Sequence, residues 1–231
     1  MRGLLVTATD TGVGKTVLSA ALLAAMAADG ESVCAHKPVV TGLSEESGIG
    51  QPGGWPADHE LLGRAAGMTP EQVAPLRYGP AVSPHLAALL AGEQIDPAQL
   101  LAAARSAATR ANTLIVEGVG GLLAPLAEDY TVRDFAVALE VPLLIAARPG
   151  LGTINHTLLT LDAARAAGLD VLAVVLTPWP ERPSEMEHSN RETIARLGEI
   201  EVATLGHVRS PTVADLARAG DELPWRRWLR C

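Results

Sequence analysis

Ala8-Thr9-Asp10-Thr11-Gly12-Val13-Gly14-Lys15-Thr16 decides the reading of this chain. An apolar run, Leu4-Leu5-Val6, stands directly before it, and a helical pattern follows. Strand, glycine loop and helix in that order form the setting in which a loop binds a nucleotide phosphate. Gly12 and Gly14 let the backbone come close to an anion with its N–H groups turned inward. The helix behind them adds unpaired N–H groups and a positive dipole end. Lys15 has the reach for the β- and γ-phosphates, and the Thr16 hydroxyl can ligate Mg²⁺. Gly12 to Val17, with Val13 between the two glycines, is therefore the expected nucleotide-binding stretch. The match to G-x-x-x-x-G-K-[ST] is imperfect, because Thr9 stands where the first glycine belongs. In the variant K-G-G-x-G-K-[ST] a signature lysine would stand at position 10, and Asp10 is there. The loop is thus a shortened, deviant one with a Thr-Asp-Thr lead-in. A Gly-Lys-Thr turn without a ligand is the plainer alternative, and the flanking strand and helix argue against it.

Outward from this loop, apolar runs of strand length alternate with Ala/Leu-rich helical segments. Strands are predicted at Gly3–Ala8, Ser32–Ala35, Thr113–Glu117, Pro142–Ala147, Asp170–Leu176 and Val202–Leu205. Helices are predicted at Lys15–Ala28, Asp58–Ala66, Ser83–Leu90, Pro97–Arg110, Thr131–Leu139, Thr153–Ala167, Glu185–Leu197 and Val213–Ala219. Asp96 before Pro97 is a helix-start signal, and Gly168 a stop signal. Thr41–Pro56, rich in Gly, Ser, Glu and Pro, reads as a surface loop. The alternation predicts an α/β fold: a single P-loop NTPase-like domain over residues 1–231, its mostly parallel sheet covered by helices on both faces. In such a sheet, ligands bind at the carboxyl ends of the strands. That rule lines up the Gly12–Thr16 loop, Lys37, Glu117 and Thr177 along one edge.

Composition narrows the function classes. Hydrophobic residues make up 48% of the 231 and aromatics only 3%, so Ala, Leu and Val must fill the core. A net charge of −8 argues against a general nucleic-acid or anionic-membrane surface. A nucleotide needs only a local cationic pocket and a metal. The two cysteines, Cys34 and Cys231, have no metal-site spacing, and a reduced cytoplasmic setting is expected. Met1-Arg2 leads at once into the first strand, with no charged-then-apolar signal segment. No apolar run approaches the roughly 18 residues that span a bilayer.

The strand ends carry the chemistry. Glu117 closes the buried run Leu114-Ile115-Val116, where a carboxylate is costly unless it is paired or bound to metal. Asp58 opens a helix, as a metal ligand or as a simple cap. Thr16, Asp58 and Glu117 would supply oxygen ligands of the kind Mg²⁺ prefers. Lys37, held in an extended exit by Pro38, is a second cation beside the loop, suited to substrate or the transferring phosphate.

These motifs occur in order with His36-Lys37-Pro38-Val39, Ser83-Pro84-His85, Val116-Glu117-Gly118-Val119-Gly120-Gly121-Leu122 and Leu151-Gly152-Thr153-Ile154-Asn155-His156. Together they resemble the dethiobiotin synthetase family, from the first strand to about Pro180. The resemblance implies Mg-ATP-dependent closure of 7,8-diaminononanoate and CO₂ to a cyclic urea, through a carbamate and a carbamic–phosphoric anhydride. It implies Lys15, Lys37 and Thr11 as catalytic residues. Substrate would meet Thr11, Lys37, Thr41, Gly120 and Gly121. The family pattern further implies a homodimer, with Leu151, Gly152, Thr153 and Asn155 of the partner holding the substrate carboxylate at a helix N-terminus. A loop-shaping and helix-capping role for Gly152 and Asn155 is the plainer alternative.

The nucleotide would also meet Glu117, Thr177, Pro178 and the neighbourhood of His207. Two positions depart from the family pattern. Relatives can carry Gly where Ala8 stands, and some carry an adenine-reading Asn where Thr177 stands. A threonine offers one hydroxyl in place of a paired donor and acceptor, so weaker base discrimination is expected. His85 and His156 read as structural. Two other function classes compete: a nucleotide-switch ATPase of the partitioning or septum-positioning type, and a small-molecule kinase or amidoligase on the same scaffold.

Overall fold

The structure, a computed structural model, describes residues 2–43 and 55–229. Most of the expected Thr41–Pro56 loop, residues 44–54, lies outside that range, as does Cys231. The elements in chain order are β1 (Gly3–Ala8), α1 (Lys15–Ala28), β2 (Val33–His36), β3 (Val39–Val40), α2 (Asp58–Ala66), α3 (Pro70–Val73), β4 (Leu76–Arg77), α4 (Pro84–Leu90), α5 (Pro97–Ala108), β5 (Thr113–Glu117), β6 (Pro125–Ala127), β7 (Tyr130–Thr131), α6 (Val132–Leu139), β8 (Leu143–Ala147), α7 (Thr153–Ala166), β9 (Val171–Trp179), α8 (Glu185–Gly198), β10 (Glu201–Gly206), α9 (Val213–Asp221) and α10 (Trp225–Trp228).

Six strands form one sheet in the order β10-β9-β8-β1-β5-β2, and every pairing in it is parallel. Alternate residues of β1 serve opposite faces. Leu4, Val6 and Ala8 pack with Leu18, Leu22 and Met26 of α1, Leu62 of α2, Leu216 of α9 and the α10 tryptophans. Leu5 packs on the other side with Leu100 of α5, Phe135 of α6, Leu161 of α7 and Ile194 of α8. Burial on both faces is why β1, β5 and β8 read as unbroken apolar runs. With so few aromatics, close helix contact replaces large side chains. A Cβ added to Gly220 in α9 would lie 2.0 Å from the Ala21 carbonyl oxygen of α1, so only glycine permits that crossing.

Several boundaries differ from expectation. Thr131 is the cap of α6 rather than its first residue: its hydroxyl accepts from the Asp134 N–H, and the Asp134 carboxylate accepts from the Thr131 N–H. β9 does not stop at Leu176. It runs through Pro178 to Trp179, which pairs with Gly206 across a register shift. The irregular pairing tolerates the proline, which has no N–H to give to a ladder. The parallel pair β3/β4 and the antiparallel pair β6/β7 were not foreseen. Runs of two or three residues show no periodicity. Among the described residues no helix is long and apolar enough to cross a membrane.

Candidate active site

Parallel pairing brings the carboxyl ends of β1, β5 and β2 side by side, and with them the phosphate loop, Glu117 and Lys37. Gly12 and Gly14 have φ of 70° and 101°, left-handed values that suit glycine and fold the loop back onto α1. Lys15, the first residue of α1, is buried, and its Nζ lies 3.4 Å from the Asp10 carbonyl oxygen. Burial lowers the Lys15 pKa, with Lys37 adding to the effect and Glu117 opposing it.

Lys37 is not a surface lysine; it is 4% exposed. Its N–H donates to the Val73 carbonyl, tying the β2 exit to α3. Its ammonium donates to Glu117 Oε1 at 2.6 Å and to Asp58 Oδ2. Burial acts to lower the Lys37 pKa, but the two carboxylates together outweigh it and hold the group well above its ordinary value. Thr16 Oγ1 donates to Glu117 Oε1 at 2.9 Å. Glu117 is 1% exposed, and its Oε2 is buried without a partner.

Asp58 is the first residue of α2, but Ala57 is the cap and no side chain caps this helix. The simple N-cap reading of Asp58 therefore fails, because its carboxylate is turned to Lys37. Burial raises its pKa, and the Lys37 charge and hydrogen bond reverse that to a net lowering.

A cleft of about 630 Å³ opens above these groups. Of the sequence-predicted residues, Thr11, Gly12, Gly14, Lys15, Thr16, Val17, Lys37, Thr41, Asp58 and Gly120 line it. Glu117 lies below its floor. Val13 packs into the core, and Gly121 sits against the end of β1, where a Cβ would lie 3.3 Å from the Ala8 carbonyl oxygen. Thr177 is buried against Gly14: a Cβ there would be 3.2 Å from Thr177 Cγ2. Pro178 is exposed. His207 borders a separate cavity of about 460 Å³ with Arg209, Asp215 and Arg218. Leu151, Gly152, Thr153 and Asn155 do not line the cleft of the same chain. Leu151 is 94% exposed, and Asn190 Nδ2 secures the loop before it by donating to the Pro149 and Gly150 carbonyls at 2.9 and 3.2 Å.

Sequence reasoning left out several cleft residues. Ala81, Val82, Ser83 and Pro84, leading into α4, form one wall, and Val119 and Ala124 another. Ser83-Pro84 was visible as a motif but carried no assigned role. Arg148 was also missed, although the strand-end rule points to it: it follows β8, the neighbour of β1.

No group of three His, Cys, Asp or Glu side chains among the described residues could hold a metal by itself. Mg²⁺ makes a smaller demand, commonly one or two carboxylates with phosphate and water completing the shell. Thr16 and Asp58, which line the cleft, fit that demand together with Glu117, which is bonded to Thr16 and has one oxygen without a partner.

The sequence profile of a family described as "AAA domain" matches residues 2–217. "ATP-dependent dethiobiotin synthetase BioD" of Anaeromyxobacter sp. (strain Fw109-5) is 41% identical over 90% of this chain and 92% of its own length. The protein of the same name from Mycobacterium sp. (strain KMS) is 38% identical over 99% of this chain and 98% of its own. The chain belongs to the dethiobiotin synthetase family. A more distant member, from Bacillus velezensis, is 34% identical over 92% of this chain and 91% of its own. Among solved structures, the Pyrococcus furiosus cell division ATPase MinD matches with a TM-score of 0.59 at 18% identity, over 96% of this chain and 98% of that one. Apo McdA of Cyanthece matches with a TM-score of 0.52 at 14% identity, over 99% and 95%. At such identities the shared feature is the fold.

Proposed function

We propose that this chain is an ATP-dependent dethiobiotin synthetase that closes 7,8-diaminononanoate and CO₂ to the cyclic urea in biotin biosynthesis. The observation that carries the reading is that one cleft is bordered by Thr11, Lys15, Lys37 and Gly120 together with the metal-type ligands Thr16 and Asp58. Phosphoryl transfer needs positioning and positive charge more than covalent assistance. Lys15 and Lys37 place two ammonium groups around the point where an anionic carbamate oxygen would meet the γ-phosphate. Thr11 presents its hydroxyl to the carbamate, and the Gly120-Gly121 turn leaves room for a thin diamine chain. Thr16, Asp58 and Glu117 would hold Mg²⁺, which supplies positive charge to the phosphate oxygens when bound. Attack of the carbamate oxygen on the γ-phosphorus breaks its bond to the β-phosphate oxygen, releasing ADP and giving the carbamic–phosphoric anhydride; the second amine then attacks the anhydride carbon, forming the C–N bond as phosphate leaves and the amine loses a proton.

A homodimer belongs to this reading. Leu151, Gly152, Thr153 and Asn155 miss the cleft of their own chain, and Leu151 projects into solvent at the start of a 14-residue helix. A second copy could bring that helix start to the substrate carboxylate, a good anion site on physical grounds. A cytoplasmic setting accords with the free, buried Cys34. Asp10 in place of a signature lysine argues against the nucleotide-switch reading, and a kinase or amidoligase on this scaffold would share the phosphate loop but not Lys37-Pro38-Val39 together with Gly152-Thr153-Ile154-Asn155-His156.

Mass spectrometry of the product from purified protein, 7,8-diaminononanoate, bicarbonate, Mg²⁺ and ATP tests the proposal. Dethiobiotin with stoichiometric phosphate is expected. Nucleotide hydrolysis with no cyclic urea, or a stable phosphorylated diamine, would overturn it.

A further inference from the structure

Asp10 raises an electrostatic problem, because it places a carboxylate on the loop that must hold a polyanion. The structure answers with Arg148. Ala8 of β1 pairs with Ala146 of β8, and the Thr9 N–H donates to the Ala146 carbonyl at 3.0 Å. This register sets Arg148, just beyond β8, beside the loop. Its guanidinium donates to the Thr11 carbonyl at 3.0 Å and lies 3.6 Å from Asp10 Oδ2. Asp10 Oδ1 in turn accepts from the Thr11 N–H at 2.7 Å. Both backbone polar groups of Thr11 are thereby engaged, and Thr11 remains on the cleft wall. Asp10 and Arg148 are each more than half exposed, so the pair contributes little to folding stability. Its position beside the phosphates is what gives it consequence, since a like charge there repels the nucleotide.

We infer that Arg148 is a positioning residue of the phosphate loop: it neutralises Asp10, so that the loop accepts a nucleoside triphosphate despite its acidic lead-in. The inference rests on nucleotide binding in the reading above and not on the cyclisation chemistry.

Calorimetric titration with Mg-ATP in the absence of diamine therefore separates the two. Arg148→Ala should weaken binding by about tenfold, the cost of a bare carboxylate near the phosphates. Arg148→Lys should recover part of the loss, because it restores the positive charge on a more flexible side chain. The double variant Asp10→Asn/Arg148→Ala should bind within about threefold of the parent chain, because both charges of the pair have gone and the net charge beside the loop is unchanged. The melting temperature of unliganded Arg148→Ala should match that of the parent chain, which verifies folding. Unchanged Mg-ATP affinity in Arg148→Ala would overturn the inference. So would a loss that Asp10→Asn does not relieve, which would make Arg148 a direct phosphate ligand instead.

Discussion

The phosphate-loop cleft and the separate cavity beside His207 are built differently. In the cleft, Lys37 and Glu117 are almost wholly buried and ion-paired through Glu117 Oε1, with Asp58 and Thr16 joined to them, while Glu117 Oε2 has no partner. Around His207 and Arg209 the charges are paired in solvent, as in Arg209–Glu181 at 2.9 Å. Thr177, with a single hydroxyl, is buried under Gly14. Chemistry demands fixed charge, and fixed charge demands burial with partners. Recognition of a base can be left to an open surface. The buried cluster should therefore be brittle and the exposed cavity forgiving.

The largest effect is expected for Lys37→Ala. It should abolish dethiobiotin formation. It should also cost about 3–5 kcal/mol of stability, because Glu117 is left buried without its cation. Chemical denaturation alongside the product assay checks both, and retained turnover would remove Lys37 from the mechanism. An acid titration probes the same buried region. Burial first, then Arg110, lowers the His36 pKa to about 4, and its Nε2 has no partner. The unfolded chain binds the proton at about 6.5, so the folded state loses stability as pH falls from there towards 4, by up to about 3 kcal/mol. His36→Gln should flatten that limb of the stability curve.

Equal concentrations of ATP, GTP and CTP should give turnover within about tenfold of one another, since one hydroxyl reads a base poorly. A strict ATP requirement would show that groups other than Thr177 do the reading. The smallest effect belongs to the exposed cavity. Arg209→Ala breaks an ion pair whose side chains are 83% and 76% exposed, and should shift stability by less than about 1 kcal/mol. A larger loss in denaturation would show that the contrast between the two regions is drawn too sharply.

Legibility followed the range of the interactions involved. β1 and α1 have the predicted ends, because a doubly buried strand and an Ala-rich helix declare themselves within one continuous segment. Lys37 and Glu117 were recognisable as a charge at the end of an apolar run. The ion pair between them was not, since 80 residues separate them and only the parallel register of β2 on β5 brings them together. Asp58 shows the same limit. A helix-opening aspartate reads locally as a cap, and its contact with Lys37 draws it away from that role. Arg148 had only its place after a strand to mark it, and Ser83-Pro84 only its motif; that both border the cleft region depends on the strand order and the long-range packing.

The sequence by itself determined the alternation of strands and helices, the glycine loop and the kinds of chemistry available at the strand ends. These depend on periodicity, on glycine conformation and on residue type, which act over a few neighbours. The tertiary structure alone decided which charges neutralise one another: Lys37 between Asp58 and Glu117, and Arg148 against Asp10. Coulomb interactions act through space over a few ångströms, and the order of strands in the sheet sets those distances.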